Sequence, residues 1–78
     1  MKAADVHGLG DPDVVALVGN KRQELFNLRF QHATGQLEDT AAMAGAKRDL
    51  ARALTVARER GIDVEFELAR QRKAEEES

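Results

Sequence analysis

The stretch "DPDVVALVGNKRQELFNLRFQHATG", Asp11 to Gly35, decides the fold. Asp11 suits a helix cap, Pro12 the first helical position, where its missing N–H is no loss, and Asp13 the positive end of the helix dipole. Val14, Val18, Leu25 and Leu28 then recur at helical spacing, with the aliphatic stem of Lys21 filling the gap. Gly35 is placed to end the run in a left-handed conformation. Gly19-Asn20 interrupts the pattern, at about 1 kcal/mol for a mid-helix glycine relative to alanine. Because the apolar phase resumes at Leu25, the spacing predicts one continuous or mildly bent helix rather than two.

Outward from that helix, "GQLEDT", Gly35 to Thr40, reads as a short turn. Thr40 is a reasonable cap for a second helix through Arg60, closed by Gly61. Its stripe is Met43, Ala46, Leu50, Ala53, Leu54 and Ala57. Two helices of similar length on a short loop lie antiparallel, and the alanines allow close approach. In the tail "IDVEFELARQRKAEEES", Ile62, Val64, Phe66 and Leu68 alternate with acids as a strand would. A lone strand has nothing here to pair with, and the residues from Glu65 onward are good helix formers. The expectation is therefore an all-α chain. It is an antiparallel two-helix hairpin with a short N-terminal turn over residues 1–61, followed by a helical or disordered, charged extension over residues 62–78.

Composition narrows the function. Seventy-eight residues make one small domain of marginal independent stability, and with no cysteine neither disulfides nor a thiolate metal site can staple it. No apolar run approaches the roughly 20 residues that cross a bilayer, and "MKAADVHGLGD" has no hydrophobic segment of the signal-peptide kind. A soluble, cytoplasmic protein is expected. Tyr and Trp are absent and Phe occurs three times, which argues against an aromatic pocket for a small-molecule substrate. The formal charge of −2 is segregated: residues 21–60 carry eight Lys or Arg against five acids, a net of plus three, while both ends are acidic. Local basic clusters can therefore address an anionic partner despite global acidity.

Enzyme motifs fail. His7 and His32 are the only histidines and lack metal-ligand spacing, so no cofactor or metal is expected. "GLGDPD" begins like a dinucleotide fingerprint, but Asp13 occupies the third glycine position and no strand precedes it. The acidic pairs Asp11/Asp13 and Glu38/Asp39 flank helix starts, where capping and the dipole account for them. Ser78, the single serine, lies in the charged tail, where nucleophilic catalysis has no support.

Surfaces are more informative. On a 100° wheel the first helix carries a second apolar strip beside the hairpin stripe, through Val15, Phe26 and Ala33 with Phe30 at its margin and Arg22 and Arg29 within it. One hairpin partner covers only one of these faces. The second strip is either a satellite core under the leader and tail or an external binding face, with Phe26 and Phe30 as its packing residues. Asn27 and Gln31 fall on the opposite, polar face. On the second helix Arg48, Arg52 and Thr55 form a strip pointing away from the alanine seam, and Lys47 and Arg58 flank that seam. Such a strip is either solvated, with Asp49 and Glu59 as local partners, or able to grip phosphates. The residues alone leave RNA and an acidic protein both open.

The words "MKAADV", "ELFNLRFQHATGQLEDT" and "KRDLARALTVARER" resemble, in order and position, the bacterial large-subunit ribosomal protein twenty-nine family, over residues 1 to about 61. The resemblance implies a pair of long antiparallel helices bound to large-subunit ribosomal RNA near the mouth of the peptide exit tunnel. It implies a non-catalytic ribosome component taking part in translation, beside ribosomal protein twenty-three and the factors that meet the emerging chain. Position by position it points to Asn27, Arg29, Gln31, Gly35 and Gln36 in the central motif, and to Lys47, Arg48, Arg52, Thr55 and Arg58 in the second. The chain departs from the family in "AAMAGA" after the turn, in "GLGDPD" in the leader, and in its acidic tail. A free-standing hairpin adaptor that pairs with a partner helix through the same apolar strip is the competing expectation.

Overall fold

The computed structural model describes residues 3–36 and 40–77. The Glu38/Asp39 pair of the turn and Ser78 lie outside them. Among the described residues four helices follow in order: α1 Ala3–His7, α2 Asp11–Ala33, α3 Ala41–Glu59 and α4 Val64–Glu77. α2 packs against α3, α1 against α3, and α4 against α2. Arg60, just past α3, reaches Asp11 at the start of α2 at 3.1 Å, so the two long helices run antiparallel. The all-α hairpin is as expected, and the extension is helical from Val64 to Glu77.

α2 is unbroken through Gly19 and Asn20. Its start is shifted by one residue from the sequence reading: Gly10, not Asp11, occupies the cap position, and no side chain bonds there. Asp11 instead turns its carboxylate to Arg60. Both long helices end in the same way. Gly35 has φ of 78° and Gly61 φ of 72°. Gln36 N–H donates to Gln31 O at 2.9 Å and Gly35 N–H to His32 O at 3.2 Å, while Ile62 N–H donates to Ala57 O at 2.9 Å and Gly61 N–H to Arg58 O at 3.1 Å. These paired bonds satisfy carbonyls left over at a helix end, and only glycine takes the left-handed backbone they need without strain.

The interior is made of small side chains. Val6, Val14, Val56 and Ala57 form its centre, with Leu9, Leu17, Ile62 and Val64 packed around them. Val15, Val18, Leu25, Ala46 and Ala53 are the other buried apolar residues. Val56 was not in the expected stripe; it lies a step round the helix and is buried because α1 crosses there with Val6. Ile62 and Val64 likewise belong to this cluster, and they pin the start of α4. The molecule is a slab of 37 × 33 × 16 Å whose radius of gyration, 13.8 Å, exceeds the ~11.5 Å of a compact chain of this length.

Lys21 links the long helices. Its ammonium lies 2.9 Å from Glu24 and 3.5 Å from Asp49, with the side chain only 19% exposed. The Glu24 hydrogen bond, opposed by partial desolvation and aided by the Glu24 and Asp49 charges, raises its pKa above 10.5.

Candidate nucleic-acid interface

α3 presents two kinds of side chain because its periodicity sorts them. Alanines at 46, 53 and 57 face inward and are buried, while Arg48 and Thr55 on the far side are exposed and Arg52 is half-buried. Arg48, Arg52 and Thr55 are spaced four and three apart and therefore share one strip. They line a shallow notch of about 240 Å³ together with Ala51, Val56 and His7 of α1. Thr55 Oγ1 donates its proton to Ala51 O at 2.8 Å. That leaves the hydroxyl oxygen as an acceptor only. Lys47 and Arg58 are exposed about a quarter-turn round the same helix.

His7 is the residue that the sequence did not place at this strip. No spacing rule on α3 could find it, since it arrives through the packing of α1. Its position is fixed by Arg60, whose Nη2 donates to His7 O at 2.9 Å while Nη1 donates to Leu9 O at 2.7 Å.

The central motif residues Asn27, Arg29, Gln31, Gly35 and Gln36 are all exposed. They do not converge on one point. Asn27 accepts from Gln23 Nε2 at 3.1 Å on the polar face, and the carbonyl of Gln31 takes the Gln36 N–H that closes α2. Gly35 and Gln36 close α2 through their backbone at the hairpin end. Arg29 lies on another side of α2, beside the aromatics.

The second strip of α2 is divided. Its N-terminal half is closed: Val15 is 1% exposed, and a Cβ built on Gly19 would sit 2.9 Å from Leu68 of α4. Arg22 pairs with Glu65 at 2.6 Å and Gln71 Nε2 donates to Pro12 O at 3.4 Å, tying α4 across it. Its C-terminal half is open, with Phe26 66% and Phe30 61% exposed. The strip is thus both things the sequence allowed, a satellite contact under the tail and an outward aromatic face. Among the described residues no group of three potential metal ligands occurs, and no helix is long and apolar enough to cross a membrane.

Comparison with known proteins gives one consistent result. The sequence model of the family described as Ribosomal L29 protein matches residues 4–60. Large ribosomal subunit protein uL29 of Streptomyces avermitilis is 44% identical over 64 residues, 82% of this chain and 86% of that one. The protein of the same description from Maridesulfovibrio salexigens is 48% identical over 62 residues, 80% and 97% of the two chains. That from Staphylococcus aureus is 46% identical over 63 residues, 81% and 91%. No solved structure matches the chain at a significant level.

Proposed function

Because this chain belongs to the ribosomal L29 protein family and is on that ground a non-catalytic structural constituent of the large ribosomal subunit, we propose that it binds large-subunit ribosomal RNA near the peptide exit tunnel. Residues 1–61 are the RNA-binding hairpin in this reading, and residues 62–78 are a charged extension whose helix α4 packs against α2. The observation that carries it is the Arg48–Arg52–Thr55 strip, which stands on the side of α3 opposite the buried alanines and so faces away from α2 in the folded hairpin. Lys47 and Arg58 extend the contact along α3. Asn27, Arg29, Gln31, Gly35 and Gln36 add contacts from α2 and the hairpin end. Arginine suits the task because its planar fork donates to two phosphate oxygens at once.

Phe26 and Phe30 have a different role in this reading. Rings more than half exposed, on the side of α2 away from α3, pack on a protein neighbour such as ribosomal protein twenty-three. The test is co-sedimentation of the tagged protein with large ribosomal subunits across a salt series. Recovery in the subunit fraction, declining with salt, is expected. Absence from that fraction at low salt would sink the ribosomal reading and favour a hairpin adaptor.

A further inference from the structure

We propose that the notch between α1 and α3 is a seat for one ribose-phosphate unit of RNA, and that Thr55 reads the 2′-hydroxyl there. The inference rests on the RNA-binding reading above and assigns it a particular contact. Four features of the notch carry it. Its lining mixes apolar Ala51 and Val56 with the polar side chains of Arg48, Arg52, His7 and Thr55. Its volume, about 240 Å³, lies below the roughly 300 Å³ at which drug-sized pockets begin, so it suits one sugar-phosphate unit.

The third feature is the committed proton of Thr55. With Oγ1 donating to Ala51 O at 2.8 Å, the hydroxyl presents lone pairs to the notch. A group seated there meets an acceptor at Thr55 and a guanidinium at Arg48, so it must donate to the first and accept from the second. A ribose-phosphate does both, its 2′-OH donating and its phosphate oxygens accepting. A carboxylate satisfies Arg48 but sets an oxygen against an oxygen at Thr55, and a deoxyribose offers no donor there. The fourth feature is rigidity: the Arg60 bond to His7 O holds the α1 wall in place. The notch is therefore pre-shaped, and binding need not order α1 first.

The experiment uses the full chain and large-subunit ribosomal RNA carrying scattered 2′-deoxy substitutions. Bound and unbound RNA are separated at limiting protein and the deoxy positions read out in each. For the wild type, deoxy substitution at one or two nucleotides should weaken binding about three- to tenfold, the value of one hydrogen bond. Thr55→Val should bind unsubstituted RNA more weakly by the same factor and lose the discrimination at those nucleotides. Thr55→Ser should restore it. Thr55→Val with helix content intact by circular dichroism and an unchanged interference pattern would overturn the seat and leave RNA binding standing. A wild-type protein that fails to bind the unsubstituted RNA would overturn the RNA reading, and the seat with it.

Discussion

The guanidinium of Arg60 donates to the carbonyl of Leu9 at 2.7 Å across a sequence separation of 51 residues. The same side chain also holds His7 O and the Asp11 carboxylate, so the end of α3, the short helix α1 and the start of α2 are fastened by one residue. A five-residue helix has too few internal bonds to persist alone. Arg60→Ala should therefore cost about 1–3 kcal/mol, as the loss of charge-assisted bonds does. Hydrogen exchange should show faster exchange at the Gly8 and Leu9 amides, with α3 little changed. Arg60→Lys should recover only part of the loss, because a point charge cannot reach three acceptors in a fixed fork.

Gly19 and Leu68 should be energetically coupled. Alanine at position 19 would gain about 1 kcal/mol of helix propensity, but its Cβ would meet Leu68 Cδ2 at 2.9 Å. Gly19→Ala should gain the full amount in a Leu68→Ala background and visibly less in the wild type. A double-mutant cycle by thermal melting measures the difference. Additive effects would mean that α4 does not rest on Gly19.

Alkaline stability should report Lys21. Its folded pKa is raised, so its ion pairs contribute fully below 10.5 and are lost as pH rises through the raised value. The chain has neither Tyr nor Cys, so the side chains that change charge in that range are its four lysines, of which Lys21 is the one that links the two long helices. Denaturant midpoints should fall above about pH 10.5, and Lys21→Met, which keeps the apolar stem, should flatten that decline.

The two open rings should matter for assembly more than for folding. Phe26→Ala and Phe30→Ala remove side chains that are 66% and 61% exposed. Each should change the melting free energy by less than about 0.5 kcal/mol, as surface substitutions do, while incorporation into the large subunit falls when mutant and wild type compete. Equal incorporation would remove the protein-packing role.

Charge removal on α3 should appear in the salt dependence. Arg48→Ala with Arg52→Ala should lower RNA affinity and reduce the slope of log K against log salt by about two phosphate contacts, or roughly 1.4–1.8. Lys47→Ala with Arg58→Ala should act in the same direction. Filter binding at four salt concentrations separates the two pairs.

Local signals carried the long helices. Pro12, Gly35 and Gly61 set helix ends through backbone rules, and the 3.6-residue spacing of Val14, Val18 and Leu25 named the seam before any contact was known. What escaped were the particular contacts that the short elements make. His7 at the notch, Val56 beneath α1 and Leu68 on Gly19 come from packing between segments distant in sequence, which periodicity within one helix does not encode. The mid-helix glycine is the clearest case. Read along α2 it is a weak point; in the folded chain it is the clearance through which α4 docks.

The slab is 16 Å thick, little more than one helix with its side chains, and its largest fully enclosed residues are valines. Melting such a body hydrates little new hydrocarbon, so its heat-capacity increment should fall below the usual ~12–15 cal/mol/K per residue. The stability curve is then broad and shallow. Folding should vary little from refrigerator to growth temperature, with a gradual melt and no pronounced cold unfolding. For a small protein that joins a much larger particle, that means a similar reserve of folded molecules across the whole range in which assembly takes place.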